Sequence, residues 1–177
     1  MRARLAVTGL VMAGTLGLAG CGTPARDAAP AGDAAPAPAA TASTGVYDFS
    51  VATLDGGTFE GRGLAGRPAV LWFWAPWCPT CLGQAKQVNA LAAGYAGKAN
   101  VVGVAGLDEV PAMHEFVRMA KLSGFPQLAD EQGLVWKRFG MTAQSTFVVL
   151  DADGKVTARG HLDPADLPGT LDKLLAS

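Results

Sequence analysis

The segment "AVLWFWAPWCPTCLGQAK", residues 69–86, places two cysteines two residues apart directly after an apolar run. Val, Leu and aromatic residues fill the run without a polar interruption, which is typical of a strand buried on both faces of a sheet. Beyond the run, apolar residues recur with the period of a helix, at Cys81, Ala85, Val88, Ala92 and Tyr95. The sequence therefore predicts a buried strand that leads into a helix beginning near Cys78 and ending near Gly94 or Gly97.

A cysteine pair at the start of a helix has a specific chemistry. The helix N-terminus presents unpaired backbone N–H groups and the positive end of the helix dipole, and both favour a thiolate over a thiol. We therefore expect Cys78 to be the nucleophile, with a pKa below the ordinary value of a thiol. Cys81 lies one turn further along and would resolve the mixed disulfide that Cys78 forms. Pro79 stiffens the turn, and Thr80 is the other residue expected to tune the pair.

Two other roles for the cysteine pair stay open beside redox exchange. A zinc site usually needs four ligands. The remaining candidates are the isolated His114 and His161, and the sequence contains no second cysteine pair. A purely structural disulfide would close a loop too small to restrict the unfolded chain much. Redox exchange is the favoured interpretation, and we expect both histidines to be surface or hydrogen-bonded residues.

The segments around this motif predict alternating strands and helices. They form an N-terminal hairpin, the strand and helix around the cysteines, a second strand and helix, a short helix, a second hairpin and a closing helix. Outside the motif they are Val46–Gly61 with a turn at Asp55–Gly57, Asn100–Gly106, a helix opened by Pro111, Leu134–Phe139, Ser145–Leu150, Lys155–Gly160 and a helix from Leu167. Core positions include Phe73, Trp74, Trp136 and Phe139. The order predicts an α/β domain with a central mixed β-sheet flanked by helices and an N-terminal β-hairpin extension.

The N-terminus has the pattern of an export signal. Arg2 and Arg4 precede an apolar run from Leu5 to Leu18 that is too short to span a bilayer comfortably. The run ends in "LAGC", which resembles the lipobox of bacterial lipoproteins. Residues 1–20 are therefore predicted to be a lipoprotein signal peptide, and lipid on Cys21 would hold the chain at the outer face of the cell membrane. An ordinary signal peptide that happens to contain a cysteine is the alternative.

The segment after the signal has the composition of a tether. Of the 23 residues from 22 to 44, 14 are Ala or Pro, and none is a large apolar residue. Such a segment cannot bury a core, so we predict a disordered tether over residues 21–45 and a folded domain over residues 46–177. The net charge of −1 and the absence of a Lys/Arg block exclude nucleic acid as an expected partner.

The motif "LWFWAPWCPTC", the segment "VVGVAGLDEVPAMHEFV" and the lipobox together resemble the extracytoplasmic DsbE/DsbF-type proteins, relatives of the TlpA/ResA group. The resemblance implies a thioredoxin fold and exchange with thiols or disulfides of exported proteins through a redox-active Cys78–Cys81 disulfide. We also expect a monomer without a cofactor, recycled by a membrane redox partner. Trp77 would flank the thiols and contribute to the substrate surface.

Four positions depart from the pattern that this resemblance implies, one of them Lys86, which stands where relatives often have proline. Ser145 stands where thioredoxin-fold proteins usually carry a cis-proline, which pairs with substrate and keeps metals from the thiols. Gln84 replaces a glutamate of TlpA-like relatives, and Trp72 replaces the buried acid of thioredoxin. Without a carboxylate to take the proton of Cys81, the domain should resolve mixed disulfides slowly as a reductant and serve better as an oxidant.

The favoured function is therefore that of a disulfide donor for exported proteins. A reductant for cytochrome c maturation is the first alternative. A lipoprotein that uses the thioredoxin fold only for binding is the second, because Ser145 and Gln84 would suit a loss of catalysis. In a third, Ser145 does not keep metals from the thiols, and the cysteine pair binds a metal ion or an iron–sulfur cluster.

Overall fold

The structure is a computed structural model, and it describes residues 45–177. The predicted signal peptide, Cys21 and nearly all of the tether lie outside the described residues. Within residues 45–177, no helix has both the length and the apolar character needed to cross a membrane.

Seven strands and four α-helices make up the described chain. The strands are β1 Ser50–Ala52, β2 Thr58–Glu60, β3 Ala69–Trp74, β4 Asn100–Ala105, β5 Gln127–Ala129, β6 Thr146–Leu150 and β7 Val156–Gly160. The helices are α1 Pro79–Gly94, α2 Val110–Ala120, α3 Leu134–Arg138 and α4 Leu167–Leu175, and 3₁₀ turns cover Gly45–Tyr47 and Gly61–Leu64.

The central sheet is mixed, with the strand order β5-β4-β3-β6-β7. Strand β3 runs parallel to β4, which runs parallel to β5, whereas β6 is antiparallel to both β3 and β7. Strands β1 and β2 form a separate antiparallel hairpin. The predicted mixed sheet and N-terminal hairpin are therefore confirmed.

Strand β3 lies at the centre of the sheet and is buried along its whole length. Its side chains alternate between two cores, as the pleat requires. Val70, Trp72 and Trp74 pack with α1, α2 and α4, and we call this side the cysteine face. Leu71 and Phe73 pack with α3 and the N-terminal segment on the opposite face. Helices thus cover both faces, as the sequence predicts.

Strand β5 is the element that the sequence analysis missed. It has three residues, follows Pro126 and begins with a polar side chain, so it lacks the length and pattern of a strand. Two contacts hold Gln127 in place. Its side chain accepts the indole N–H of Trp74, and its backbone carbonyl accepts the N–H of Leu54 from the N-terminal hairpin. Long-range contacts, rather than local propensity, therefore make this segment a strand.

Candidate active site

Cys78 and Cys81 are joined by a disulfide across the first turn of α1, with their Cα atoms 5.3 Å apart. Cys78 is the N-cap residue of the helix, and Pro79 follows at the start of the helix. Both residues are buried, Cys78 with 3% exposure and Cys81 with none, but Cys78 and not Cys81 lines an open groove. Cys78 is therefore the sulfur that a partner molecule can reach first.

The start of α1 favours negative charge on Cys78. The backbone N–H of Cys81 donates to the Cys78 Sγ over 3.0 Å. The first turn contains no acidic residue, so nothing opposes the positive end of the helix dipole there. In the reduced protein the same N–H and dipole would stabilise a thiolate on Cys78.

Gln84 and Trp72, two of the positions that depart from the family pattern, are bonded to each other. The indole N–H of Trp72 donates to the Gln84 Oε1 over 2.9 Å. Trp72 is completely buried beneath α1, and Gln84 lies one turn after Cys81. A neutral hydrogen-bonded pair therefore fills the space where relatives are expected to hold an ionisable carboxyl group.

Trp77 forms an exposed apolar surface beside Cys78. Its side chain is 54% exposed, and its indole N–H donates to the backbone carbonyl of Leu107 over 3.3 Å. Leu107 is itself 50% exposed and has a φ of +62°, in the left-handed region that non-glycine residues rarely adopt. The loop after β4 thus presents Leu107 next to Trp77. Leu107 could not be identified as a site residue from the sequence, because its loop position carries no local signal.

An open groove lies on another side of Cys78. Helix α1 contributes Thr80 and Gln84 to its wall, and the loop before β6 contributes Ser145. The connection between β7 and α4 contributes His161 and Asp163. The cysteine pair and the segment predicted to face it therefore come together, from positions more than sixty residues apart in the sequence.

Ser145, which lines this groove, adopts an unusual backbone conformation. Its φ is +61° and its residue is 7% exposed. A left-handed conformation of this kind costs an ordinary residue about 1–2 kcal/mol. The Ser145 carbonyl lies 3.3 Å from the Nδ1 of His161, within hydrogen-bonding distance. His161 is exposed, as expected, but its place beside Ser145 was not foreseen.

The register of the second hairpin explains this contact. Strands β6 and β7 pair antiparallel, with Phe147 opposite Gly160. The residue after Gly160 therefore lies near the residues before Phe147. A sequence-based prediction that fixed this register would have placed His161 beside Ser145.

Comparison with solved structures and characterised sequences identifies the fold and the chemistry. The structure of DsbF of MTB is 47% identical, with a TM-score of 0.70, and the match covers 74% of this chain and 98% of DsbF. A secreted Mycobacterium tuberculosis disulfide oxidoreductase homologous to E. coli DsbE is 34% identical, with a TM-score of 0.66, and the match covers 72% and 97% of the two chains. The soluble secreted antigen MPT53 of Mycobacterium tuberculosis is 40% identical over 120 residues, 68% of either chain.

The profile of the AhpC/TSA family matches residues 42–159. The chain belongs to the AhpC/TSA family. Within this thioredoxin-like family it is a thiol–disulfide oxidoreductase of the DsbE/DsbF type. The predicted resemblance, the thioredoxin fold and the enzyme class are therefore confirmed. The secreted character of its relatives agrees with an extracytoplasmic location.

The predicted site residues of this AhpC/TSA-family protein gather at one end of β3. Pro79, Thr80 and Gln84 lie on α1 with Cys81, and Trp77 precedes the helix. Ser145 faces them across the groove. His114, the other candidate zinc ligand, is exposed on α2 and is not among the groove-lining residues. Within residues 45–177, no group of three or more His, Cys, Asp or Glu side chains is arranged to hold a metal ion.

Proposed function

We propose that this oxidoreductase donates its disulfide to exported proteins outside the cytoplasm. Cys78 would be the sulfur attacked by the substrate, and Cys81 would be the leaving group. The contact that carries the proposal is the N–H of Cys81 on the Sγ of Cys78 at the N-terminus of α1. In the reduced pair the same contact would favour a thiolate on Cys78, and a stabilised reduced form makes the disulfide a stronger oxidant.

The exchange takes place in two steps. A substrate thiolate attacks the Cys78 Sγ, the Cys78–Cys81 bond breaks, and its electron pair leaves on the Cys81 sulfur. The second thiol of the substrate loses its proton and attacks the substrate sulfur of the mixed disulfide, so that Cys78 leaves as a thiolate. Two electrons pass from the substrate dithiol to the cysteine pair, and the substrate is released with a new disulfide.

The bond between Trp72 and Gln84 supports this direction of exchange. A reductant needs Cys81 to lose its proton and attack the mixed disulfide, and a carboxylate beside it would accept that proton. Here a neutral amide bonded to an indole fills the position. An oxidant needs Cys81 only as a leaving group, so it does not depend on that carboxylate. A reductant for cytochrome c maturation remains the alternative direction for the same chemistry.

The proposed location follows from the N-terminal sequence. A lipid on Cys21 would anchor the chain at the outer face of the membrane, and residues 21–45 would let the domain reach its substrates. The secreted relatives support an extracytoplasmic site of action. A membrane redox partner would reoxidise the cysteine pair, and a monomer suffices because both cysteines come from one chain.

The first experiment tests whether Cys78 reacts and Cys81 resolves. The variants C78S and C81S, each reduced, are incubated with a test protein that carries an exchangeable disulfide. We expect C81S to form a covalent adduct that dithiothreitol releases, and C78S to form none, because Cys78 lines the open groove and Cys81 does not. Adduct formation by C78S would contradict the assigned roles. The absence of any adduct would favour a thioredoxin-fold protein that only binds.

The second experiment tests the role of Gln84 in setting the direction. The substitution Q84E should accelerate reduction of a test disulfide by roughly tenfold or more, because it supplies a proton acceptor near Cys81. The matched control is Q87E, which adds the same charge to the same groove without replacing the partner of Trp72. Equal rates for wild type and Q84E, or equal acceleration by both variants, would contradict the proposed role.

A further inference from the structure

The groove beside Cys78 contains an imidazole side chain. His161 lines the groove together with Cys78 and Ser145. Imidazole is the side chain whose charge ordinarily changes between pH 5 and pH 8. The exchange described above assigns this histidine no role, although its first step requires the substrate thiol to lose a proton.

The contact with Ser145 fixes which ring nitrogen of His161 is free. A backbone carbonyl can only accept a hydrogen bond, so the Nδ1 that lies 3.3 Å from the Ser145 oxygen must carry the hydrogen. In the neutral ring the lone pair is then on Nε2. The Ser145 carbonyl therefore selects the tautomer whose Nε2 can accept a proton.

Building on the proposed function, we propose that His161 accepts the proton of the substrate thiol that attacks Cys78. The proton passes from the substrate sulfur to the His161 Nε2, and the new bond forms between the substrate sulfur and the Cys78 Sγ. The Cys78–Cys81 bond breaks, and its electron pair stays on the Cys81 sulfur. The products are the mixed disulfide, a Cys81 thiolate and a protonated imidazole, so charge and electrons balance.

The surroundings leave His161 as the suitable acceptor. The residues that α1 contributes to the groove beside the cysteine, Thr80, Gln84 and Gln87 among them, are uncharged. Gln144 and Ser145 opposite them are uncharged as well. Asp163 is the charged side chain on the wall that His161 shares, and its Oδ1 already accepts the N–H of Ala165. Arg159 lies on β7, two residues before His161, and its side chain approaches Gly140.

The test uses the pH dependence of reduction of the oxidised chain. Dithiothreitol is mixed with the protein from about pH 5.5 to about pH 8.5, and tryptophan fluorescence reports loss of the disulfide. Each rate is divided by the concentration of dithiothreitol thiolate. A thiol with a neutral imidazole contains the same number of protons as a thiolate with an imidazolium. A reaction assisted by His161 therefore has a rate per thiolate that is proportional to the fraction of protonated imidazole. That rate per thiolate rises on acidification.

The informative variant is H161N. The asparagine Nδ2 can take the place of Nδ1 as donor to the Ser145 carbonyl, but the amide cannot accept a proton. We expect the wild-type rate per thiolate to rise about tenfold or more toward the acidic end, and the H161N rate to stay flat. The matched control is H114Q, which removes the histidine on α2 and should behave as wild type.

Each other outcome overturns the inference. An acid-dependent rise that persists in H161N removes His161 from the step, and a flat profile in H114Q makes the effect nonspecific. If H161A slows the reaction and H161N does not, the histidine only positions Ser145. A wild-type disulfide that does not react with dithiothreitol would overturn the proposed function together with this inference. If the wild-type disulfide reacts with dithiothreitol and the H161N profile equals that of the wild type, only the inference about His161 is overturned.

Discussion

The two faces of the central sheet differ in whether buried aromatic N–H and O–H groups have hydrogen-bond partners. On the cysteine face, the indole N–H groups of Trp72 and Trp74 both donate to glutamine side chains. On the opposite face, the hydroxyl of Tyr47 and the indole N–H of Trp136 have no hydrogen-bond partner within residues 45–177. All four aromatic residues are almost completely shielded from solvent. The difference therefore does not arise from burial.

On the cysteine face, hydrogen bonds position the polar ends of the buried aromatic side chains, whereas packing alone positions those of Tyr47 and Trp136 within residues 45–177. A satisfied hydrogen bond in a dry core orients both partners and resists rearrangement. On the opposite face, the ring of Trp136 instead packs edge-on against Phe73, with their centroids 5.4 Å apart. Removing the acceptor of a buried indole N–H should thus be costly on the cysteine face, whereas removing the unbonded hydroxyl of Tyr47 should be nearly neutral or favourable.

The largest effect is expected at Gly103 on β4. A Cβ at this position would overlap the Gln127 side chain and approach the Trp74 Nε1 to 2.9 Å. G103A should therefore lower the free energy of unfolding by about 3–5 kcal/mol, through overpacking and a lost hydrogen bond. Denaturant unfolding measures the loss.

The matched substitution for the opposite face of the sheet is G106A. A Cβ at Gly106 would overlap the Trp136 indole, which has no hydrogen-bond partner within the described chain to lose. G106A should therefore cost less than G103A. An equal or larger cost would mean that shape, and not the polar bond, dominates on both faces.

The second largest effect is expected at Asp130, whose buried carboxylate does have hydrogen-bond partners on the opposite face. Its carboxylate accepts the backbone N–H groups of Leu134 and Trp136 at the start of α3. D130A should cost about 2–3 kcal/mol, because it leaves both N–H groups without this partner. D130N, which keeps one oxygen acceptor, should cost less. Chemical denaturation measures the free energy of unfolding of the two variants. Equal losses for D130A and D130N would contradict the assignment.

A smaller loss is expected at Gln127 on the cysteine face. Q127L keeps the approximate volume of the side chain but leaves the Trp74 indole N–H without its acceptor. The free energy of unfolding should fall by about 1–3 kcal/mol. Thermal unfolding followed by circular dichroism measures the change, and an unchanged stability would remove the polar contact from the account of this face.

The smallest effect at neutral pH is expected for Y47F on the opposite face. Burial, and secondarily the charge of Asp151, raise the pKa of Tyr47 to about 12. Because the pKa of Tyr47 in the folded protein lies above the ordinary tyrosine value of 10.0, folding stability is intact below pH 10 and falls as the pH rises toward 12. Y47F should be neutral or stabilising by up to about 1 kcal/mol at pH 7 and should weaken this alkaline loss. A marked destabilisation at pH 7 would reveal a partner for the hydroxyl.

The sequence predicts best where periodicity and buried runs carry the information. The strand before Cys78, the helix after it and the buried positions Ala85 and Val88 follow from local pattern alone. The place of the cysteine pair follows too, because a helix start is visible in the sequence.

The remaining features depend on contacts between distant segments. Strand β5 forms because it pairs with β4, and Gln127 also bonds to β3 and to the N-terminal hairpin, which no local pattern encodes. The bond between Trp72 and Gln84 depends on how α1 lies on the sheet. His161 reaches Ser145 through the register of β6 and β7. Each needs the assembled sheet before it can be deduced.

The reduction potential of the Cys78–Cys81 pair tests the central claim most directly. The protein is equilibrated in glutathione buffers, and the oxidised fraction is measured by trapping free thiols. We expect a potential of about −120 to −180 mV, at the oxidising end of known exchangers, because the start of α1 stabilises the reduced pair. A value near about −270 mV, like that of thioredoxin, would contradict the account and make the protein a reductant.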